Sequence, residues 1–283
     1  MSMQHIAVIG AGTMGNGIAQ VCAVAGFDVT LLDISDTALE RGMATVRKNL
    51  ERQVTKQTVA ADVAEAALRR ISVTTDYDQL NGAQLVIEAA TENLELKLRL
   101  LKQIASHVDR ECVIASNTSS LSITQLAASV EHPDRFIGLH FFNPVPMMNL
   151  IEVIRGLQTA DTTHIAAIKL AERLNKTAIT AGNRPGFVVN RILVPMINEA
   201  ILVLQEGLAT AQDIDDGMRL GCNQPIGPLA LADLIGLDTL LAIIEAFLEG
   251  FNDSKYRPAP LLKEMVAAGF LGRKTGRGFF VYN

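Results

Sequence analysis

From residue 5 to about residue 182, short β-branched or apolar runs alternate with longer segments of helical period. The spacing predicts strands over 5–9, 28–32, 71–74, 85–88, 113–116, 136–142, 151–154 and 177–180. Helices are predicted over 15–25, 37–56, 59–69, 94–107, 123–130 and 163–174. Several of the strand runs are apolar at consecutive positions rather than at alternate ones, which is how a strand covered on both faces reads. The pattern therefore predicts an α/β domain built on a mostly parallel, doubly wound sheet. Ser122 and Gln125 have the spacing of a helix capping box, which places residues 117–120 in a loop leading to a helix N-terminus.

The pattern changes at Arg184-Pro185-Gly186, beyond which the signal is helical until the last few residues. A boundary there gives an N-terminal domain over 1–184 and a smaller all-α domain over 185–283. Helices are predicted over 187–206, 211–220, 228–247 and 259–268. The first of these is apolar nearly all round and is predicted to be buried, against its own domain or another subunit. Pro195 predicts a kink in it unless a turn intervenes.

Composition narrows the functional classes. Hydrophobic residues make up 49% of the 283 positions and charged residues 19%, a well-packed globular balance. A net charge of −5 supplies no general attraction to nucleic acid or anionic lipid. The longest apolar stretch, 187–204, carries Asn190, Arg191, Pro195, Asn198 and Glu199, too polar for a membrane span. Cys22, Cys112 and Cys222 are far apart and form no CxxC pair, which points to neither a metal nor a disulfide framework. A reducing compartment, the cytoplasm, is the reading, with no export signal ahead of the first strand.

The candidate chemistry begins at Gly10-Ala11-Gly12-Thr13-Met14-Gly15, a GxGxxG run between a predicted strand and a helix. Gly10 permits a tight turn, Gly12 admits backbone close to a pyrophosphate, and Gly15 lets helix pack on strand, with the first-turn amides of Thr13 and Met14 facing the phosphates. Glycine clusters also end strands for structural reasons alone. Asp33, eighteen residues after Gly15 at the end of the second strand, decides between the two readings. A carboxylate there accepts from adenosine ribose hydroxyls, and the following Ile34 and Ser35 offer no arginine for a 2′-phosphate, so the expected cofactor is NAD. Taken alone, Asp33 also reads as a turn or helix-start residue; the strand–glycine–helix–strand context around it favours the cofactor.

His140 lies in the apolar run 136–142, and Glu152 twelve residues later in the next. A strand–turn–strand path would bring the carboxylate beside the imidazole, fixing one ring nitrogen and leaving the other for proton exchange. The plainer readings, a satisfied core histidine and an edge-strand carboxylate, remain open on spacing alone. Lys48, Arg52 and Lys56 recur every four residues as a basic stripe on one helix, suited either to phosphates or simply to solvent.

Six motifs in order resemble the L-3-hydroxyacyl-CoA dehydrogenase family, in particular its short bacterial members. They are GAGTMGNG at 10–17, ASNTSS at 115–120, GLHFFNPVP at 138–146, PGFVVNR at 185–191, DLIGLD at 233–238 and KTGRGF at 274–279. The resemblance runs end to end. It implies NAD-dependent oxidation of an (S)-3-hydroxyacyl-CoA, with 3-hydroxybutyryl-CoA as the expected substrate, and a homodimer formed through the α-domain. It implies His140 as acid/base, Glu152 as its orienting partner, and Ser119 and Asn190 as substrate contacts. Glu92, Lys97, Asn143 and Lys274 become cofactor contacts, and Lys56, with Arg52 and Lys48, the CoA-binding region. Two other functions fit parts of the pattern: a dehydrogenase of free 3-hydroxy acids or sugar acids, and a non-catalytic NAD-binding relative.

Overall fold

The computed structural model describes residues 3–282. The chain divides into two compact units, with the division between Arg184 and Pro185. In the first unit the elements run β1 (His5–Ile9), α1 (Thr13–Val24), β2 (Asp28–Leu32), α2 (Asp36–Thr55), α3 (Ala61–Arg70), β3 (Ile71–Thr74), β4 (Leu85–Glu88), α4 (Leu94–Ala105), β5 (Val113–Ser116), α5 (Ile123–Ala127), β6 (Phe136–Phe141), β7 (Leu150–Arg155), α6 (Asp161–Arg173) and β8 (Thr177–Gly182).

All eight strands form one sheet in the order β3-β2-β1-β4-β5-β6-β7-β8. Neighbouring strands are parallel except at β6–β7. The consecutive apolar runs have the cause expected of them: Ile6, Ala7 and Val8 on β1 are all fully buried, because helices cover both faces. From β1 the chain winds outward to β2 and β3, then returns to β4 on β1's other side. This reversal opens a crevice beyond the carboxyl ends of β1 and β4, the position where doubly wound sheets hold ligands.

The β6–β7 exception brings distant residues together. Strands joined by a short connection pair antiparallel, and the register here sets His140 directly opposite Glu152. Helix starts follow side-chain chemistry: Ser35 accepts from the Ala38 amide at α2, Asn93 from Leu96 at α4, and Ser122 from Gln125 at α5. Asn183 reinforces the last of these, since its amide donates to the Ser122 hydroxyl and its carbonyl accepts from Ile123.

The second unit contains α7 (Val189–Gln205), α8 (Ala211–Asp216), α9 (Pro228–Ile235), α10 (Leu237–Phe251) and α11 (Pro260–Ala267). Its core includes Val194, Ile197, Ile201, Leu229, Leu240, Ile244 and Phe247. Three details depart from the periodic pattern. The segment 228–247 is two helices, because Gly236 adopts φ 99°, which ends α9 and starts α10. Helix α8 stops at Asp216 and passes into a wider π turn, Gly217–Gly221. Phe187 has φ 48°, so α7 starts at Val189, and it runs unbroken through Pro195.

Asn198, a polar residue buried in α7, donates to the Arg257 carbonyl and accepts from the Ala259 amide, so it ties down the chain entering α11. Ile192, on the same helix, is 68% exposed. No helix among the described residues is long and apolar enough to cross a membrane.

Candidate active site

The glycine turn between β1 and α1 is built as its sequence requires. Gly10 has φ 99°, and a Cβ there would lie 2.6 Å from the Ala90 Cα. A Cβ at Gly15 would meet the Gly10 carbonyl oxygen at 1.7 Å, so no other residue allows α1 to start this close to β1. At Gly12, by contrast, a Cβ would project into open space. Gly12 caps α1 with no side-chain hydrogen bond, and Thr13 and Gly12 are exposed. An uncapped helix start beside open space suits a pyrophosphate, whose charge the amides and the helix dipole favour.

Asp33 extends from the end of β2 toward this turn. Its Oδ2 accepts from the Ala11 amide at 2.7 Å and its Oδ1 from the Ser35 amide at 3.3 Å. The carboxylate thus braces the glycine turn and starts the loop into α2, while its remaining lone pairs suit ribose hydroxyls. Lys48 and Arg52 lie exposed on α2, and Lys56 caps its C-terminal end, also exposed.

His140 and Glu152 meet on the adjacent strands. Nδ1 lies 2.6 Å from Glu152 Oε2, with Glu152 wholly buried and His140 7% exposed. A carboxylate only accepts, so the bond assigns hydrogen to Nδ1 and makes Nε2 the basic nitrogen of the neutral ring. The Phe142 ring packs 4.5 Å from the imidazole, centroid to centroid. Asn117, in the loop after β5, accepts from the Phe141 amide next to His140.

Ser119 sits in the same loop, and Glu92, in the loop after β4, organises it. Glu92 Oε1 lies within hydrogen-bond reach of the hydroxyls of Thr118 (2.8 Å), Ser119 (3.0 Å) and Ser120 (3.1 Å), and of the Ser119 amide (2.8 Å). Two residues expected separately at substrate and cofactor are thus in direct contact. Lys97, assigned through the resemblance to the cofactor's ribose, is completely buried. Its Nζ donates to Glu88 Oε2 at 2.5 Å and to the Ser116 hydroxyl at 3.2 Å. Glu88 and Ser116 escaped the sequence reading; the available signal was a carboxylate ending an otherwise apolar strand.

Asn143 is exposed on the connection from β6 to β7. That connection is fixed by Lys176, whose Nζ donates to the Val145 carbonyl at 2.8 Å and to Met148 at 2.6 Å. Burial pushes the Lys176 ammonium below the usual lysine range. In the second unit, Asn190 is half-buried in the first turn of α7. Lys274 donates to both oxygens of Asp238 on α10, and that bond holds the Asp238 carboxyl below its ordinary range. Asp233, also unassigned by the sequence, accepts from the amides of Phe279 and Phe280 and the Tyr282 hydroxyl, anchoring the segment that carries Lys274.

Residues 5–184 match the NAD-binding domain of 3-hydroxyacyl-CoA dehydrogenase, and residues 186–282 match its C-terminal domain. The chain belongs to the 3-hydroxyacyl-CoA dehydrogenase family. A 3-hydroxybutyryl-CoA dehydrogenase of Bradyrhizobium diazoefficiens is 50% identical over 99% of this chain and 96% of its own length. One from Clostridioides difficile is 46% identical over 98% and 99%. Among solved structures, (S)-3-hydroxybutyryl-CoA dehydrogenase from Ralstonia eutropha superposes with a TM-score of 0.98 at 59% identity, covering all of both chains. The dehydrogenase described here is accordingly an NAD-dependent oxidoreductase, and the glycine turn with Asp33 fits that cofactor.

Proposed function

We propose that this dehydrogenase interconverts (S)-3-hydroxybutyryl-CoA and its 3-keto product, with His140 as the acid/base and Glu152 as its orienting partner. The observation that carries the reading is the bond between His140 Nδ1 and the buried Glu152 carboxylate. NAD, when bound, supplies the hydride acceptor at its nicotinamide. Neutral His140 takes the substrate's hydroxyl proton at Nε2 as the carbonyl forms, and the Glu152 carboxylate stabilises the resulting imidazolium. In the reverse direction the imidazolium returns that proton to the 3-oxygen. Ser119 is the candidate hydrogen-bond partner of the 3-oxygen, and Asn190 of the acyl portion; both are neutral and add no competing charge.

Gly10, Gly12 and Gly15 with the first-turn amides of Thr13 and Met14 would hold the pyrophosphate, and Asp33 the adenosine ribose. Glu92, Lys97, Asn143 and Lys274 are further candidates for the cofactor, and Lys48, Arg52 and Lys56 for the CoA phosphates, on the family resemblance. The same resemblance and the exposed Ile192 on α7 support a homodimer.

Initial rates test the function directly. Acetoacetyl-CoA should consume NADH, (S)-3-hydroxybutyryl-CoA should reduce NAD, and His140→Ala should lose turnover far more than NADH affinity. Equal rates on free 3-hydroxybutyrate and its CoA thioester would favour a free-acid dehydrogenase and defeat the proposal. Absence of NADH consumption by the wild-type chain would point to the non-catalytic alternative.

A further inference from the structure

Lys176 carries a buried amino group that the proposed chemistry does not use. The residue is 8% exposed, and both partners of its Nζ are backbone carbonyls rather than carboxylates, Val145 at 2.8 Å and Met148 at 2.6 Å. Local structure delivers it there. Asn175, just past the end of α6, takes φ 53°; its amide returns to the Glu172 carbonyl and the Lys176 amide to that of Ala171, the left-handed ending that turns a chain sharply out of a helix. Thr177 then opens β8, and its amide donates to the carbonyl of Asn149, the residue before β7. Lys176 therefore starts out beside the β6–β7 connection.

Desolvating an ammonium is costly, and an apolar side chain would fill the same space without that cost. What Nζ adds is a pair of donors for two carbonyls of one turn. That turn begins at Pro144, whose carbonyl accepts from the amides of Met147 and Met148. Val145, 2% exposed, packs it on α1, where a Cβ at Gly17 would lie 2.9 Å from the Val145 Cβ. Lys176 and α1 thus hold the connection together, and the residue that leads into the held turn is the exposed Asn143.

We infer that Lys176 is a positioning residue: by tying down the Val145 and Met148 carbonyls it fixes the β6–β7 connection and so holds Asn143 toward the cofactor. The inference rests on the reading of Asn143 as a cofactor contact and uses nothing about the substrate.

The test is a double-mutant cycle on NADH affinity, read by fluorescence titration of the full chain well below its melting temperature. Lys176→Met keeps the aliphatic stem and removes both donors; Asn143→Ala removes the side chain through which Lys176 acts. Each alone should raise the NADH Kd about three- to tenfold, the net worth of one hydrogen bond. The double variant should stay within about twofold of the weaker-binding single variant, because two residues acting through one contact are not additive. Amide exchange over residues 143–149 should quicken in Lys176→Met. An unchanged Kd in Lys176→Met, beside a raised one in Asn143→Ala, overturns the inference even if the melting temperature falls, since the lysine would then serve stability alone. Losses that multiply in the double variant overturn it as well. An unchanged Kd in Asn143→Ala defeats the reading of Asn143, and this inference with it. Should Lys176→Met fail to fold, Gly17→Ala crowds Val145 from α1 and enters the same cycle. Because the cycle reads binding, a wild-type chain inactive on acetoacetyl-CoA would defeat the proposed substrate and not this inference.

Discussion

The substitution Glu152→Gln separates charge from shape at the candidate acid/base pair. The amide is nearly isosteric with the carboxylate, and its oxygen still accepts from Nδ1–H across the 2.6 Å contact in a site where Glu152 is fully buried. Only the negative charge is lost. A hydrogen bond to an ionised partner contributes about 1.5–3 kcal/mol and a neutral one about 0.5–1.5 kcal/mol, so the imidazolium loses on the order of 1–2 kcal/mol relative to the neutral ring. If oxidation of the 3-hydroxyl builds that imidazolium as the ring takes the proton, kcat in that direction should fall by up to roughly 5- to 30-fold. His140→Ala, which removes the proton carrier itself, should fall further, by about 10²- to 10⁴-fold. The assay is NAD reduction with (S)-3-hydroxybutyryl-CoA at saturating NAD, with NAD affinity measured separately to confirm an intact cofactor site. A Glu152→Gln enzyme with wild-type kcat would refute the role assigned to the charge. One as inactive as His140→Ala would mean that the amide turns the ring, and that orientation rather than charge is what Glu152 supplies.

Two further predictions follow from burial. Cys22 and Cys112 are buried, and burial pushes both thiols up to about 12, so the reactive thiolate is scarce in each at neutral pH and through the mildly alkaline range. Iodoacetamide on the native protein should therefore give a single adduct, on exposed Cys222, by peptide mass spectrometry; comparable labelling of Cys22 would contradict the packing of α1. Light scattering should give twice the chain mass in solution, with Ile192→Asp shifting it toward the monomer; a wild-type monomer would remove the dimer from the proposal.

Much of the first unit was legible because its signals are local. Consecutive apolar residues at β1 and β4 could only belong to strands covered on both faces, and alternation with helical segments then implied a parallel, doubly wound sheet. Gly10 and Gly15 were legible for a similar reason, since their conformation and close approach exclude any side chain. The split at Gly236 was not, because a lone glycine in an apolar helical run is tolerated as often as it breaks the helix.

Local pattern determined where most strands and helices form, that a dinucleotide turn opens the chain, and which motifs place it in its family. Pairing between distant segments decided the rest. Only the antiparallel register of β6 and β7 puts Glu152 against His140. Only the adjacency of β4 and β5 lets Glu92 gather the Ser119 loop and draws Lys97 inside to Glu88 and Ser116. A lysine early in an amphipathic helix reads the same whether it faces solvent or a buried carboxylate, since its environment depends on a strand end nine residues away and a serine nineteen residues away. Sequence period reports which face a residue occupies; what lies opposite that face is set when the sheet assembles.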